Sequence, residues 1–526
     1  MKFTSLVVVV ILTVKCQCIP LDTKVDSIRT NIRHESKHPE FRSIPHVKLN
    51  RPEELDTDFW FNNAKDFVAT KLNQPRRAGA AKNIILFIGD GMSLATQAAA
   101  RMYKGGEEEK LSFEEFPYAG LVKTYCLDYQ VADSACTATA YLSGVKNNYG
   151  TIGISGKVPR YDCVGQMDET NHIKSIAKWA MDAGKSAGLV TTTRVTHASP
   201  AGVYASIADR DWEHNVAVQR NGCDDELIDD IAEQLVHGDV GSNLKVVLGC
   251  GIREFLDNTM VDEEGFKGSR SDEKNLINEW LNAVDGEENK RFVWNKTELV
   301  NINAEETDYL LGLFDQSDCR YNLDITNENI GHKEPTLTEM LDKAIDILSK
   351  DENGFFLFVE GGRIDHAHHS NQPQIAMEET LEFDRAVALA RSKLSEEDTL
   401  IVVSADHSHT MTYAGYGDRG ANIFGFGGAA GDDMPYMILS YANGPGYTHH
   451  TTAEGRFNLT TMGITGYNFM HPATLPMSSE THAGDDVGVF ASGPWAKLFT
   501  GVLEQNVIPH FMAYAACIGN GLTACD

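Results

Sequence analysis

The sequence predicts an α/β fold: a three-layer αβα sandwich around a large, mostly parallel central sheet. Three observations carry this prediction. Short continuous apolar runs, typical of strands buried on both faces, recur along the chain. Helical patterns lie between them, as at 173–183 and 336–348. Acidic residues directly follow several of the runs, where the carboxyl edge of such a sheet binds ligands.

The first 52 residues are predicted to form two segments that precede the folded domain. A lysine and an apolar run from Leu6 to Val14, ending near Cys18, are typical of a secretory signal peptide, which we assign to residues 1–18. The run is short for a membrane span, and a buried N-terminal strand is the alternative. Residues 19–52 are polar and without a clear period, so we expect an extension that is flexible or removed.

Residues 53–526 are expected to form a single catalytic domain. It begins with an exposed helix over 53–74, in which aromatic residues stand among charges. A crown-like, loop-rich insertion is expected over 416–480, where Gly, Asn, Thr and Tyr are frequent. The strongest strand candidates are 83–88, 187–192, 245–248, 355–359 and 399–404.

Composition limits the classes of partner. The apolar share of 42% is ample for a core, and the net charge of -29 argues against nucleic acid or an anionic membrane surface as partner. An anionic substrate would therefore need positive charge supplied locally by the site. We expect no membrane span. The chain ends without the hydrophobic tail of a lipid-anchor signal, so the expected location is extracellular and soluble.

The cysteines and two acceptor triplets agree with a secreted protein. Eight of the ten cysteines lie beyond residue 18, and an oxidising compartment would pair them. Sequence does not fix the pairing; Cys163–Cys223 and Cys517–Cys525 are our candidate pairs. Asn295 and Asn458 begin N-glycosylation triplets.

One short segment is unusually rich in metal-binding side chains. Two carboxylates and three histidines lie between Glu360 and His369, directly after the apolar run 355–359. Such groups are costly to bury unless a cation holds them. The segment predicts a site with more than one metal, and chemistry of the hydrolytic or group-transfer kind.

Other segments add ligands to the same edge. Asp90, Glu360 and Asp406 each follow a predicted strand closely. Each alone would usually be a loop residue or a helix cap, but three together indicate a site. His407 and His409 follow Asp406, and His482 precedes a further apolar run. Imidazole with carboxylate suits zinc, and all-oxygen ligation suits magnesium, so we predict two zinc ions and one harder cation.

A nucleophile and an anion-binding group can be named. Ser134 precedes small residues that suit a helix whose N-terminus faces an anion, although a simple helix cap is the alternative. No Gly-x-Ser-x-Gly motif surrounds Ser134. A metal, rather than a histidine base, would therefore have to lower the pKa of its hydroxyl. Downstream, His197, Ser199 and Arg210 supply an imidazole, a hydroxyl and a guanidinium. Arginine is the best bidentate partner for phosphate, while an ordinary salt bridge is the alternative for Arg210.

Taken together, six dispersed motifs resemble those of the animal alkaline phosphatases. The resemblance runs in order from about Asp58 to Asp526. The motifs are Asp90-Gly-Met, Asp133-Ser-Ala, Thr196-His-Ala-Ser-Pro, Glu360-Gly-Gly-Arg-Ile-Asp-His, Ala405-Asp-His-Ser-His and Thr481-His-Ala-Gly.

The resemblance implies three metal sites. The ligands of the first zinc would be Asp365, His369 and His482. Those of the second zinc would be Asp90, Asp406 and His407. Asp90 would be shared with magnesium, whose other ligands would be Ser199 and Glu360. A calcium site is a looser match, with Asp315, Glu334 and either Glu263 or Glu264 as its acids.

The resemblance also implies an activity. Ser134 would form a phosphoserine during hydrolysis of phosphate monoesters at alkaline pH, and Arg210 would hold two phosphate oxygens. His197 and His366 would tune the site, and His409 would orient the surroundings of the second zinc. A homodimer is implied, with the helix over 53–74 as a possible interface arm.

Some alternatives stay open. A phosphodiesterase or sulfatase relative of the same fold, or a non-catalytic binding glycoprotein, would use the same architecture. His368 has no implied role and is expected to be structural. Cys136 departs from the expected small residue beside the nucleophile, and we expect it to be either packed and inert or a source of thiol sensitivity.

Overall fold

The protein is built on a large central sheet, seen here in a computed structural model that describes residues 52–55, 57–73, 76–283 and 289–525. The signal peptide assigned to 1–18 lies outside the described residues, as does the extension 19–52 apart from its last residue. The strands are β1 (Asn83–Gly89), β2 (Tyr118–Lys123), β3 (Ser186–Arg194), β4 (Val246–Cys250), β5 (Lys290–Val293), β6 (Tyr309–Leu313), β7 (Phe355–Gly361), β8 (Thr399–Ser404), β9 (Ser408–His409), β10 (Met411–Tyr413), β11 (Phe426–Ala429), β12 (Pro435–Met437), β13 (Leu439–Gly444), β14 (Thr451–Thr452), β15 (Gly455–Arg456), β16 (Ala473–Pro476), β17 (His482–Ala483), β18 (Val487–Ser492) and β19 (Gly501–Glu504).

Helices connect most of the long strands. They are α1 (Thr57–Leu72), α2 (Leu94–Lys104), α3 (Ser134–Ser143), α4 (Cys163–Gln166), α5 (Ile176–Asp182), α6 (Ala198–Ala201), α7 (Asn215–Arg220), α8 (Ile231–His237), α9 (Leu276–Asn282), α10 (Lys296–Asn301), α11 (Asn322–Asn327), α12 (Leu337–Leu348), α13 (Arg363–His369), α14 (Pro373–Lys393) and α15 (Ile508–Ala516). No helix of the described residues has the length and apolarity that crossing a membrane requires.

The main sheet has the strand order β19-β2-β18-β8-β1-β7-β3-β4-β6-β5. All the strong strand candidates lie in it. Neighbouring strands pair in parallel except around β18, which runs antiparallel to both β8 and β2. The register aligns Ile88 with Glu360 and with Ser404. Thus the strands β8, β1, β7 and β3 end side by side.

Helices cover both faces of this sheet, as the three-layer prediction requires. On one face, Phe87 of β1 packs edge-on against Phe383 of α14, with ring centroids 5.8 Å apart. On the other face, Phe358 of β7 stacks on Tyr141 of α3 at 6.2 Å. Side chains alternate across a strand, so residues that are buried throughout β1 and β7 must be covered on both sides.

The segment 416–480 holds only short strands, which form small sheets apart from the main one. One of them pairs β13 with β10 and β16. A two-residue ladder between β9 and β17 places His409 opposite His482.

Four disulfides lie among the described residues. The two candidate pairs, Cys163–Cys223 and Cys517–Cys525, are both present. A further bond joins Cys250 to Cys319. The expectation for Cys136 was wrong: it is neither a packed thiol nor a free one, because its sulfur is bonded to Cys126.

Two glycines in the left-handed region precede the paired strands β3 and β7. Gly354 has φ +84°, and a Cβ there would lie 2.1 Å from the carbonyl oxygen of Lys82, which leads into β1. Gly184 has φ +77°, but its Cβ would meet nothing closer than 3.7 Å. Substitution at Gly184 would therefore cost only the strain of the left-handed backbone, whereas substitution at Gly354 would add a steric clash.

We expect Gly184→Ala to lower the free energy of unfolding by about 1–2 kcal/mol, the ordinary cost of left-handed backbone. Gly354→Ala should cost roughly twice that or more, because the Lys82 carbonyl must also shift. Denaturant unfolding of both variants beside the wild type measures the difference. Equal losses would mean that the backbone at Lys82 yields freely.

Candidate active site

The carboxyl edge of the main sheet gathers three fully buried carboxylates. Asp90 follows β1, Glu360 lies near the end of β7, and Asp406 lies two residues beyond β8. All three are 0% exposed. Because these strands are neighbours in parallel register, the acids that the sequence placed after strands meet at one edge.

A histidine-rich set lies beside them on α13 and β17. His369 Nε2 is 3.2 Å from Asp365 Oδ2, and His482 Nε2 is 3.3 Å from Asp365 Oδ1. The two imidazole nitrogens lie 3.2 Å apart. Asp365 and His369 face the same way because they are four residues apart on one helix. We call Asp365, His369 and His482 the histidine set.

Backbone carbonyls orient both of these imidazoles. His369 Nδ1 lies 2.5 Å from the Glu480 carbonyl oxygen, and His482 Nδ1 lies 2.8 Å from the Ala132 carbonyl oxygen. An imidazole that donates one N–H to a carbonyl presents its other nitrogen as a lone pair. Nε2 of both residues is therefore the nitrogen turned toward Asp365 and available to a metal.

His409 lies between the histidine set and His407. Its ring centroid is 5.7 Å from that of His407, its Nε2 lies 2.5 Å from Asp365 Oδ1 and its Nδ1 contacts the Glu480 carboxylate, so its role in orienting the surroundings of the second zinc stays a prediction. The β9–β17 ladder explains this position, because it turns His409 toward the strand that carries His482. Glu480 and Asp365 outweigh the effect of burial and raise the pKa of His409 to about 10.

A second set contains Asp90, Asp406 and His407, which we call the carboxylate set. His407 Nε2 is 3.1 Å from Asp406 Oδ2 and 3.4 Å from Asp90 Oδ1. The ring of His407 stacks on that of His482 with centroids 3.5 Å apart. The two sets are therefore contiguous.

Glu360 forms a third, oxygen-rich corner. Its Oε2 accepts hydrogen bonds from Thr191 at 2.5 Å and Thr193 at 3.2 Å, both on β3. Asp90, His197 and Glu360 lie close enough to share one ion, and Ser199 is buried nearby at the start of α6. The structure thus brings together all the residues that the sequence assigned to the two zinc ions and the magnesium ion.

The electrostatics of this edge favour bound cations. Burial, and then the charges of Asp406, Asp365 and Glu360, raise the pKa of Asp90 well above its ordinary value. Burial raises the pKa of Glu360 to about 7. Asp90 Oδ1, Glu360 Oε1 and Asp406 Oδ2 find no hydrogen-bond partner among the described residues. Carboxylate oxygens without hydrogen-bond partners, beside imidazole nitrogens, are the donor set that divalent cations require.

Ser134 is the first residue of α3 and lies at the junction of these groups. Its hydroxyl is 3.2 Å from His407 Nε2 and 3.4 Å from Asp90 Oδ2. Asp133 caps the helix by accepting from the backbone N–H of Cys136. The cap was the alternative explanation for this segment, and it falls on Asp133, which leaves the Ser134 hydroxyl free to face the metal ligands.

Arg210 is held beside the nucleophile by two side chains. Its Nη1 donates to Asp133 Oδ2 at 3.0 Å, and its Nη2 donates to His197 Nε2 at 3.1 Å. The side chain is 18% exposed, so it is no ordinary surface ion pair. Guanidinium N–H groups that are not used by Asp133 or His197 remain for an anion.

His366 lies near the site without joining either metal-binding set. Arg363 Nη1 is 2.7 Å from its Nδ1, and Asp318 Oδ2 is 3.9 Å away. Burial lowers the pKa of His366 to about 4, so the ring is neutral. His366 packs edge-on against His197 with centroids 5.4 Å apart.

Sequence reasoning assigned no role to several residues of this region. Thr191 and Thr193 donate hydrogen bonds to Glu360, and the Glu480 carboxylate contacts His409. Arg194 Nη1 donates to Asp318 Oδ2 at 2.8 Å. Thr191 lies inside the predicted strand 187–192 and Thr193 directly follows it, where β-branched residues need no explanation. His368, expected to be structural, lies 3.0 Å from the Thr96 hydroxyl and 2.9 Å from the Tyr441 hydroxyl.

The acids of the calcium candidate lie apart from this edge. Asp315 lines a small cavity together with Glu263 and Glu264. Arg320 Nε approaches both Asp315 and Glu334, at 3.6 and 3.3 Å. Burial raises the pKa of Glu334 to about 8.

Comparisons with known proteins identify the family and the fold. The family model described as alkaline phosphatase matches residues 81–518. A membrane-bound alkaline phosphatase of Bombyx mori is 46% identical over 90% of this chain and 87% of its own length. The tissue-nonspecific alkaline phosphatase of Homo sapiens is 42% identical over 90% of this chain and 91% of its own. The solved structure of Thermus thermophilus alkaline phosphatase has the same fold, with a TM-score of 0.60 at 23% identity over 91% of this chain and 98% of that one.

We expect chelation of bound metal by EDTA to lower the midpoint of thermal unfolding, because buried carboxylates would then repel one another. In metal-free protein, Glu360→Gln should raise the midpoint by a few degrees relative to metal-free wild type. In metal-loaded protein the same change should lower it, since a ligand is lost. Calorimetry in both states measures the sign.

The matched control is Glu382→Gln, which alters another buried carboxylate that pairs with Arg385 on α14. This change should lower the midpoint in both states. A Glu360→Gln effect of the same sign with and without metal would contradict the metal role of the site.

Proposed function

The chain belongs to the alkaline phosphatase family and is a metal-dependent enzyme that hydrolyses phosphate monoesters, and we propose that it does so through a phosphoserine on Ser134. One observation carries this proposal. The Ser134 hydroxyl is the nucleophilic group that lies within 3.4 Å of both Asp90 and His407, where the two metal-binding sets meet.

We propose zinc for the histidine set and for the carboxylate set, and magnesium for the oxygen-rich corner. Asp365, His369 and His482 would hold one zinc, and Asp90, Asp406 and His407 the other. Asp90, Ser199 and Glu360 would hold magnesium. Bound there, the cations would lower the pKa of the serine hydroxyl and stabilise negative charge on the attacking and leaving oxygens.

The chain's own residues prepare the attack. The Ser134 oxygen would approach phosphorus in line with the leaving alcohol, from the N-terminus of α3, where backbone N–H groups favour an anion. Arg210 would bind two phosphate oxygens through a guanidinium that Asp133 and His197 already orient. Attack would form the bond from the Ser134 oxygen to phosphorus, break the bond from phosphorus to the ester oxygen, and release the alcohol, with the serine proton lost to solvent and a proton gained by the ester oxygen. Water then releases inorganic phosphate and restores the serine.

The charge distribution supports a monoester rather than a diester as the substrate. The chain carries a net charge of -29, and its negative electrostatic field repels anions. A dianionic phosphate would therefore bind only where metal cations and Arg210 supply local positive charge. A diester carries one negative charge fewer and would engage Arg210 and the cations less fully. The diesterase and sulfatase alternatives therefore fit less well with a site built from Arg210 and metal cations.

We propose that the mature enzyme is extracellular. Residues 1–18 would serve as its signal peptide, and the disulfides are typical of an oxidising compartment. Both glycosylation candidates use Oδ1 to cap a helical turn, Asn295 toward Glu298 and Asn458 toward Thr460. This cap leaves the amide nitrogen, the atom that is glycosylated, for a glycan. Calcium at Asp315 and Glu334 is proposed on the acidic cavity alone, and Arg320 would have to move aside.

Replacing Ser134 with alanine should abolish hydrolysis, with a loss of at least about a thousandfold in kcat. Labelled phosphate should no longer be incorporated into the protein at acid pH. Ser143→Ala at the other end of α3, a buried serine whose hydroxyl has no partner among the described residues, is the matched control and should leave both readouts close to wild type. Unchanged activity in Ser134→Ala would overturn the assignment.

We further propose a homodimer in which α1 contacts the partner subunit. This helix exposes large apolar side chains, with Phe61 72% and Leu72 80% exposed. Burial of such groups is favourable by about 25 cal/mol per Å².

Light scattering after size exclusion should find a dimer for the wild type, and Phe61→Glu should shift it toward monomer by placing a charge in the interface. Val164→Glu, at an apolar residue 74% exposed on α4, is the control and should leave the dimer intact. A dimer that tolerates Phe61→Glu would exclude α1 as the interface.

A further inference from the structure

The disulfide between Cys126 and Cys136 spans the residues that build the nucleophile. Cys136 lies in the first turn of α3, two residues after Ser134, and Cys126 lies ten residues before it. The segment between Cys126 and Asp133, which we call the nucleophile loop, contains neither helix nor strand. The bond thus closes the loop onto the helix that it leads into.

Little apolar packing holds the nucleophile loop. Residues 127–131 are all exposed. The buried residues at its base, Cys126, Ala132 and Cys136, form a small cluster separate from the main core, covered by Tyr149. Two of the three members of that cluster are the disulfide itself. Removal of the disulfide would therefore remove the covalent link and most of the buried apolar contacts at the base of the loop.

Two consecutive residues at the end of the loop hold the active site. The carbonyl of Ala132 orients His482, at 2.8 Å from Nδ1. Asp133 pairs with Arg210 through one carboxylate oxygen, and its other oxygen accepts from the backbone N–H groups of Cys136 and Gly150 at 3.2 and 3.1 Å. The position of the Arg210 guanidinium therefore depends on where the loop holds Asp133.

The remaining contacts of the loop near solvent include hydrogen bonds and one ring contact, between Tyr129 and Tyr149 with centroids 4.8 Å apart. Leu127 N–H donates to the Asn147 carbonyl at 2.9 Å, and Tyr149 N–H donates to the Asp128 carboxylate at 2.8 Å. Exposed hydrogen bonds exchange readily with water and contribute little net stability. These hydrogen bonds therefore restrain the position of the loop less strongly than a covalent bond does.

We propose that the Cys126–Cys136 disulfide is a positioning element for phosphate binding, which fixes Asp133 so that Arg210 is aimed before substrate arrives. This inference rests on the role of Arg210 in the proposed function. Arg210 contacts the phosphoryl oxygens both before and during the reaction. Its loss of order therefore weakens binding of substrate and of inorganic phosphate more than it slows the chemical step. Full affinity for phosphate would then require an oxidising compartment.

The test compares two disulfide-free variants of the full metal-loaded enzyme. Cys126→Ala with Cys136→Ala should raise the inhibition constant of inorganic phosphate and the KM of nitrophenyl phosphate about 5- to 20-fold, while kcat changes less than about threefold. The control, Cys517→Ala with Cys525→Ala, opens a disulfide of similar span, eight residues, and should leave the inhibition constant within about twofold. Equal effects in both variants would overturn the inference, as would a fall in kcat with unchanged phosphate inhibition.

A double-mutant cycle with Arg210→Ala locates the effect. If the disulfide acts through Asp133 and Arg210, its removal should change the phosphate inhibition constant less than about twofold once Arg210 is gone. If removal of the disulfide and Arg210→Ala raise the phosphate inhibition constant by factors that multiply, the inference is overturned. Loss of bound zinc from the disulfide-free variant, measured by atomic emission, would also overturn it, since the disulfide would then act through His482. If Arg210→Ala alone leaves phosphate inhibition unchanged, the phosphate role of Arg210 in the proposed function fails instead.

A second route avoids a variant that does not fold. The wild-type enzyme is reduced with a phosphine in zinc-buffered solution, and the reduced fraction at Cys126 and Cys136 is measured by thiol tagging and mass spectrometry. Weaker phosphate inhibition in proportion to that fraction supports the inference. Full reduction of this pair with unchanged inhibition overturns it.

Discussion

The crowding of negative charge at one edge of a buried sheet is the constraint on which the rest of the structure depends. Asp90, Glu360 and Asp406 are fully buried, and burial raises the pKa of each. Carboxylates placed so close together in a low-dielectric site repel one another unless cations lie between them. The fold must therefore hold together a site that is unfavourable without its metals.

The sheet supplies the rigidity that this requires. The strands β8, β1, β7 and β3 are continuous apolar runs packed between two helical layers, so their ends cannot separate without disrupting the core. Local donors then fix individual oxygens. Gly91 N–H donates to Asp406 Oδ1 at 2.9 Å, and the two threonines of β3 hold Glu360. Preorganisation of this kind leaves the ligand atoms in place when no cation screens them.

Much of this arrangement could be predicted from the sequence, because its main determinants are local. Apolar runs that end in an acid identify both a strand and the edge it reaches, which located Asp90, Glu360 and Asp406. The two-residue ladder between β9 and β17 is too short to leave a pattern, so the contacts of His409 with Asp365 and Glu480 could not be predicted from the sequence. Cys126 and Cys136 gave no sign that they pair, since cysteine spacing does not encode connectivity. Residues such as Thr191 and Thr193 look like ordinary strand residues until the structure places Glu360 beside them.

The direction of β18 has a consequence for how the site is completed during synthesis. Within the described residues it alone runs against the main sheet, so its beginning, rather than its end, lies at the edge where the ligands gather. His482 comes just before that beginning. The ribosome therefore delivers the carboxylate set and most of the sheet well before it delivers the last ligand of the histidine set. The complete set of ligands can therefore form only after the segment that carries His482 has been synthesised.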